Sequence, residues 1–440
     1  MAVVALAGLA DDALRPSDVL PLFDVGGGPE DEGRRLLRET ARWVAARKLG
    51  WGQALAPMVR RWLADVPADA DARGYLAWEV AQLAGSPEVA AALASTVRVP
   101  ATPAARDVAL RAMAEARPSA ASAAWLDAVS AVAADAADRP AVNRLVETAR
   151  ALPKPKGGHG ELTAAMTALA RRADLPATVR LDALSAVGTL QPVDADVFRE
   201  LVGLIGADAP ADTRGRAAAV LAGARLSAAQ QAELADALAG VGPLELAKLL
   251  PAFERGGAAE PLGRRLVAAL RASPGRTSLR SEVLKPVLAR FPQSVRDAAA
   301  DLLKPDASAA EQAVALDKLL AELPAGDVNR GQAVFVGKRA ACITCHATGY
   351  LGGKLGPDLT GIGKVRTDRD LLEAIVHPSA SFVRGYDPVI VILKDGDKLP
   401  GIVTSEARDA IVLATGPQET KRVPRADVAE VRPGTVSLMP

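Results

Sequence analysis

Proline residues open successive helical stretches at a nearly constant interval in the first three quarters of this chain. The interval is about 31–37 residues, a period typical of helical-hairpin repeats. Proline suits the first turn of a helix because the N–H that it lacks has no acceptor there. A helix pair in such a series buries its apolar face only against a neighbouring pair, so the spacing predicts a stack of helix pairs, an α-solenoid. The prolines are Pro103, Pro140, Pro176, Pro210, Pro243 and Pro274.

The stretches after these prolines have the apolar periodicity of a helix. Between Leu181 and Leu190, apolar residues recur three or four positions apart. Half of all residues are apolar and only 3% are aromatic, so the abundant Ala, Leu and Val favour helices packed closely through small side chains. The unit resembles HEAT-type repeats, in which Asp and Arg inside the second helix are common, as at Asp107 and Arg111. An irregular helical domain is the alternative.

The N-terminal hundred residues also have helical periodicity but show no repeat phase, and a loop is predicted at 26–29. Residues 1–10 are apolar but lack a basic n-region, so we predict part of a helix there, and no signal peptide is visible. No stretch approaches the roughly 20 uninterrupted apolar residues of a membrane helix, so we expect no transmembrane segment. Helices are predicted at 34–48, 53–66 and 75–83.

The charge pattern and the motifs that are missing restrict the function. The net charge is +1, and acidic and basic residues are interspersed. No basic stripe stands out, so nucleic acid is not expected as a partner. The sequence contains no phosphate-binding loop, nucleophile elbow or metalloprotease helix. We therefore predict no catalytic site of the chain's own, and Asp358, Asp368 and Asp370 are interpreted as capping and loop residues; whether the chain serves an enzyme stays open.

A break in the helical pattern predicts a domain boundary. Residues 309–323 form one more amphipathic stretch, and Pro324 and Gly326 interrupt it. Asp327 is a good N-cap for the next helix. We expect a HEAT-like helical repeat domain over residues 1–326 and a second domain over residues 327–440.

The run from Cys342 to His346 carries the strongest chemical signal in the second domain. It holds both cysteines of the chain and one of its three histidines. Cys-x-x-Cys-His is the attachment signature of a c-type haem. Two thiols three residues apart on a helical turn can each bond one vinyl group of the same porphyrin, and the adjacent imidazole can reach the iron. We therefore predict one covalent haem c, tethered by Cys342 and Cys345, with His346 as the proximal iron ligand.

Three other interpretations of this motif stay open. A zinc site needs about four ligands, whereas Cys342, Cys345 and His346 supply three. A thioredoxin-like redox pair requires a strand before the motif and a helix after it. Here residues 328–341 predict a helix before the motif, and a glycine-rich loop follows it. Two unrelated cysteines are the third alternative.

The residues on both sides of the motif resemble class I cytochromes c. Residues 327–338 resemble the first helix of that fold, in which Gly331 implies a close contact with another helix. Residues 349–363 (GYLGGKLGPDLTGIG) resemble the loop under the proximal histidine. The resemblance implies that the Pro357 carbonyl accepts a hydrogen bond from the second ring nitrogen of the proximal histidine, and that Leu359 presses on the porphyrin face.

After a helix over residues 367–376, the period of the apolar pattern changes to two. Asp395 and Gly396 predict a hairpin turn, and a small antiparallel β insert is expected over about residues 386–432. Strands are predicted at 388–394, 399–404, 410–414, 420–423 and 428–431.

The order of these segments resembles the haem-binding domain found in planctomycetes and verrucomicrobia, which commonly ends large proteins that contain HEAT-like repeats. The resemblance covers about residues 327–440. It implies single-electron transfer, with a redox partner protein or a dehydrogenase domain as the partner. Covalent haem attachment normally occurs outside the cytoplasm, so the resemblance also implies a periplasmic or otherwise exported protein.

The sixth iron ligand follows from the same resemblance. Met439, in a Ser-Leu-Met-Pro run, is the one methionine after residue 326, and the family's distal methionine is often followed by proline. A Met/His ligand pair raises the reduction potential. The alternative ligand is His377, which could instead interact with the dipole of the helix that it ends. His159 lies between glycines and is interpreted as a solvated loop histidine.

These predictions combine into a mainly α fold, with a HEAT-like α-solenoid followed by a cytochrome c-like haem domain that carries the β insert. The expected function is that of a c-type cytochrome, with the helical repeats as scaffold or docking surface. If Met439 does not bind iron, a five-coordinate haem sensor or haem-binding protein is the alternative. A structural helical-repeat interaction protein is the third possibility.

Overall fold

The chain forms two compact units, Met1–Gly188 and Thr189–Pro440, in a computed structural model. The expected helix at residues 1–10 and the expected loop at residues 26–29 lie outside the described residues. The described residues are 14–23, 32–118, 120–133, 136, 139–155, 157–187, 192–276, 279, 281–303, 309–407, 409–417 and 419–440.

The first unit is helical. From α3 to α10, each helix packs against the next helix but one, so that alternate helices form two rows. The helices α1 to α10 are Pro16–Val19, Glu32–Ala45, Gly52–Ala64, Ala70–Leu83, Pro87–Arg98, Pro103–Ala116, Ala123–Ala133, Arg139–Ala151, Gly160–Ala170 and Ala177–Ala186.

One continuous apolar core runs through this unit, from Leu14 to Val187. Leu93 and Leu145 have no exposed surface, and burying a side chain of this size contributes about 1.5–3 kcal/mol. The indole N–H of Trp125 donates to the Ala90 carbonyl at 2.8 Å, which satisfies the polar atom of the buried ring.

The second unit begins with further helices. Within it, α12 packs on α14, α13 on α15, α15 on α17, and α18 on α20. The helices α11 to α20 are Ala195–Leu204, Ala211–Gly223, Ala228–Ala237, Pro243–Leu249, Glu260–Ala272, Ser281–Leu288, Gln293–Ala298, Ala309–Glu322, Val328–Val336 and Asp368–Val376.

The helix-opening prolines mostly behave as their spacing predicts. Their fixed φ suits the first turn, so they lie at the N-cap or in the first two positions of a helix. Pro274 is the exception, because it lies in a turn and the next α-helix begins only at Ser281. The prolines at helix starts are Pro103, Pro140, Pro176, Pro210 and Pro243.

A small antiparallel sheet ends the second unit, as predicted. Its strand order is β6-β5-β4-β3-β7. Gly396, with φ +93°, forms the turn between β3 and β4, and a separate two-stranded ladder, β1 and β2, lies earlier in the chain. The strands β1 to β7 are Ala347–Thr348, Leu351–Gly352, Pro388–Leu393, Lys398–Glu406, Ala410–Gly416, Glu419–Pro424 and Val428–Pro433. The sheet has a core of its own in Val391, Ile411, Leu413 and Val423.

Two further expectations concern boundaries and membranes. The expected domain boundary between residues 326 and 327 lies inside the second unit, and it stays a prediction. Within the described ranges, no helix combines the length and the apolar character needed to cross a bilayer.

Candidate functional site

The helix that leads to the Cys-x-x-Cys-His motif is shorter than predicted. The Asp327 carboxylate accepts the Arg330 N–H at 2.7 Å and caps α19, as expected of an N-cap. The helix ends at Val336, whereas the apolar pattern predicts it as far as residue 341. A Cβ on Gly331 would meet no atom within 4 Å, so the described residues do not form the close helix contact expected there.

The motif itself forms a tight helical turn. Ala341 precedes it in the left-handed region (φ 52°), which turns the chain away from the direction of α19. The Thr344 N–H donates to the Ala341 carbonyl at 2.9 Å, and the His346 N–H donates to the Cys342 carbonyl at 3.0 Å. Cys342 and Cys345 are therefore one turn apart, the arrangement that double attachment to one porphyrin requires.

The glycine-rich loop is bonded along the whole motif. Three of its N–H groups donate at 2.9 Å to carbonyls of the motif and of the residue after it, in the pairs Gly353 to Ile343, Gly356 to Cys345 and Leu359 to Ala347. This ladder holds the loop in a fixed register under the motif. Leu359, which the family resemblance places on the porphyrin face, is half-buried in this loop.

Glycine is required at two loop positions because the motif lies so close. A Cβ on Gly353 would lie 2.0 Å from the Thr344 carbonyl oxygen, and a Cβ on Gly356 would lie 2.4 Å from Cε1 of His346. Real Cβ atoms do not approach other atoms this closely. The glycines therefore let the loop reach the imidazole edge.

The imidazole of His346 is oriented by the loop. Its Nδ1 lies 2.8 Å from the Pro357 carbonyl oxygen. A carbonyl can only accept, so Nδ1 carries the proton, and the lone pair of the neutral ring is on Nε2. This is the contact that the family resemblance implies for Pro357. A histidine held in this way presents Nε2 as a metal ligand.

The two thiols are not in the state of a reactive redox pair. Both cysteines are free and half-buried. Burial raises the pKa of Cys342, and it also raises the pKa of Cys345 despite the positive charge of Lys248 nearby. Thioredoxin-like cysteines instead have a lowered pKa.

The potential ligands of a zinc site do not converge. Over the part of the chain that the structure describes, no three side chains of His, Cys, Asp or Glu are grouped so that they could hold a metal ion. Cys342, Cys345 and His346 are therefore not grouped as the ligands of a tetrahedral zinc centre would be.

The segment that contains the motif buries few apolar side chains. In residues 327–385, all of which the structure describes, Ala341 is the one buried hydrophobic residue. Tyr350 and Val365 are 107% and 77% exposed. A bound porphyrin would cover apolar side chains of this kind. The donor set and the apolar surroundings therefore fit a haem.

The two candidates for the sixth ligand lie on neighbouring segments. The Ser437 N–H donates to Ser379 Oγ at 3.0 Å, which ties the tail that carries Met439 to the turn that follows α20. His377 ends α20, and its Nε2 is buried without a hydrogen-bond partner among the described residues. Whether the thioether or this imidazole binds iron stays a prediction.

His159 is not the solvated loop histidine that its glycine neighbours suggest. Its Nδ1 accepts the Leu162 N–H at 3.2 Å and caps α9, and its Nε2 lies 2.9 Å from an Asp127 carboxylate oxygen. The side chain is 17% exposed. The residue is structural, because its partner lies 32 positions away and is invisible in the local sequence.

One contact joins the helices at the start of the second unit to the segment before the motif. Arg214, in α12, donates to the Lys338 carbonyl at 3.0 Å. The two residues are 124 positions apart, and no local signal predicts the pair. No family model matches the chain, and no curated protein matches it either.

Proposed function

We propose that this protein is a c-type cytochrome that binds one haem covalently and transfers single electrons. The observation that carries the proposal is the 2.8 Å contact between His346 Nδ1 and the Pro357 carbonyl oxygen, formed beside a Cys-x-x-Cys turn. It leaves Nε2 as the free donor atom, the state that an axial haem ligand needs. The bare apolar surface of residues 327–385 supports the same function.

The residues of the site have separate roles in this proposal. Cys342 and Cys345 tether the porphyrin through thioether bonds, and His346 binds the iron. Pro357 fixes the plane of the imidazole, and Leu359 covers part of the porphyrin. When bound, the haem supplies a one-electron couple.

The packing of the helices and the family resemblance support roles for the rest of the chain. The alternate packing of α3 to α10 supports a HEAT-like α-solenoid, which serves as a scaffold or docking surface. In this proposal residues 327–440 are a cytochrome c-like domain of the planctomycete and verrucomicrobial type. The protein is periplasmic or otherwise exported, and it exchanges electrons with a redox partner protein or a dehydrogenase domain.

Export with a c-type haem maturation system tests the attachment. The purified wild type should show a Soret band and a mass increase of one haem that survives denaturation. Cys342→Ser combined with Cys345→Ser should abolish both signals, and Thr344→Ser, inside the same turn, should keep them. A colourless wild type of unmodified mass would refute the proposal.

The sixth ligand separates the electron carrier from the haem sensor. We expect Met439→Ala to lower the midpoint potential and to open the ferrous iron to carbon monoxide, because a Met/His pair stabilises ferrous iron. His377→Ala is the matched variant, since the unpartnered Nε2 of His377 makes it the other candidate. Rapid carbon monoxide binding by the wild type, unchanged in both variants, would favour the five-coordinate sensor.

A further inference from the structure

A buried arginine in the helical repeats of the second unit has an unusual set of partners. The side chains of Arg214 and Glu245 are only 5% and 2% exposed. Nε of Arg214 donates to Glu245 Oε1 at 3.0 Å, and Nη1 donates to the Ala209 carbonyl at 2.8 Å. Two of the three guanidinium nitrogens are thus used to hold the side chain inside the repeats.

The third guanidinium nitrogen of Arg214 bonds to a residue outside the helical repeats. Nη2 of Arg214 donates to the Lys338 carbonyl at 3.0 Å. In return, Nζ of Lys338 donates to the Asp208 carbonyl at 3.2 Å. Two hydrogen bonds of opposite direction therefore join one residue before the motif to the turn at the start of α12.

These two hydrogen bonds, which we call the clamp, lie close to the start of the motif. The Ala341 N–H donates to the Gly337 carbonyl at 2.9 Å, so the residues from Gly337 to Ala341 form one closed turn that contains Lys338. Cys342 follows this turn immediately. Fixing the Lys338 carbonyl therefore fixes the point from which the attachment turn begins.

The choice of residue types supports a positioning role. A guanidinium is a rigid planar fork whose three nitrogens donate at fixed angles, whereas the three donors of an ammonium share one nitrogen. A buried ion pair rarely adds stability over apolar residues of similar size, so stability alone does not explain the pair. Oε2 of Glu245 has no hydrogen-bond partner among the described residues, and Oε1 accepts from Nε of Arg214.

We infer that Arg214, oriented by Glu245, is a positioning residue that clamps the Lys338 carbonyl and thereby sets where the haem-attachment turn lies. The helical repeats are then part of the haem site and not only a scaffold. The inference rests on the proposed function, since it assigns a place to the turn that would carry the haem.

Trypsin cleavage of the haem-loaded full chain between Lys338 and Arg339 tests the clamp. Arg214→Met alone would leave Glu245 buried without its partner and could unfold the repeats, so the test variant is Arg214→Met with Glu245→Leu. Circular dichroism checks that the fold is kept. Cleavage should be at least about tenfold faster than in the wild type, as expected when a hydrogen bond from a charged donor is lost.

The midpoint potential is the second measurement, because a purely structural role in the repeats would not move it. We expect a shift in the double variant. The matched control is Arg38→Met with Glu79→Leu, which removes an arginine–glutamate pair from the first unit and should change neither measurement.

Cleavage at the wild-type rate would overturn the inference, and so would faster cleavage with an unchanged potential. Failure of the proposed function is recognised separately, because the wild type itself would then carry no haem.

Discussion

The first unit and residues 327–385 use their apolar residues in opposite ways. In the first unit, leucines and valines from every helix meet in one core. In residues 327–385, α19 and α20 have no buried residue, and large apolar side chains remain exposed. Both regions contain capped helices, such as those that begin at Pro103 and Val328, so helix capping does not explain the difference. It lies in what the apolar faces pack against.

This contrast shows which region can be stable by itself. A region that buries its apolar side chains gains stability in proportion to the area removed from water. A region with exposed apolar side chains gains that stability only when something else covers them. The haem of the proposed function would cover them, and the following experiments test the contrast.

Truncating one leucine in each region should give the largest difference. Leu145→Ala, at a position with 0% exposure, should lower the free energy of unfolding by about 2–5 kcal/mol. Leu351→Ala, at a position 70% exposed, should change it by less than about 0.5 kcal/mol in the haem-free protein. Urea unfolding measures both. Equal losses would contradict the contrast.

A methyl group added to the loop under the motif tests whether the close approach of the loop holds the His346 imidazole in place. Gly356→Ala would place a Cβ 2.4 Å from the His346 ring, so we expect the imidazole to leave the Pro357 carbonyl, at a cost of about 1–3 kcal/mol. The shift of the His346 Nδ1 proton in NMR spectra reports this bond. Gly361→Ala is the control, because no atom lies within 4 Å of its Cβ position. An unchanged His346 signal in Gly356→Ala would contradict the expectation.

Helix caps should have different consequences in the two regions. Thr102 accepts the Ala105 N–H at 3.1 Å and caps a helix that contributes to the core. Thr102→Ala should therefore lower the global free energy of unfolding by about 1 kcal/mol. Asp327→Ala removes a similar cap from α19, which buries nothing, so it should increase local hydrogen exchange and leave global stability unchanged. A global loss in Asp327→Ala would show that α19 is part of a cooperative core.

The smallest expected effect is a pH dependence of opposite sign in the two regions. Burial raises the pKa of Glu79 above its ordinary 4.5, and this outweighs the attraction of Arg38. The folded state then binds the proton more tightly than the unfolded state does. The stability that Glu79 contributes is therefore present below pH 4.5 and is lost as the pH rises through the raised pKa.

Asp358, in the loop under the motif, should act in the other direction. Hydrogen bonds from the side chain and main chain of Thr360 lower its pKa below the ordinary 3.8, so its contribution is present above that value and is lost as the pH falls through the lowered pKa. The free energy of unfolding, measured over a pH series, should show this. Glu79→Gln should remove part of the stability lost above pH 4.5, and Asp358→Asn part of that lost below pH 3.8. A profile unchanged by both substitutions would contradict this assignment.

Local hydrogen bonding and periodicity determined much of this fold from the sequence alone. The cap at Asp327, the hairpin turn at Gly396, and the helix starts at Pro103 and Pro243 each depend on a few neighbouring residues, so their physics is contained in a short window. The spacing of the cysteines and His346 is of the same kind. Its attachment chemistry stays a prediction.

Tertiary structure decided the features that depend on distant partners. Only packing brought Arg214 to Lys338 and His159 to Asp127. Only packing left apolar residues around the motif uncovered, whereas those of the first unit were buried. The physical reason is that burial and long-range hydrogen bonds depend on how all the intervening chain is arranged, and a local window contains no information about that arrangement.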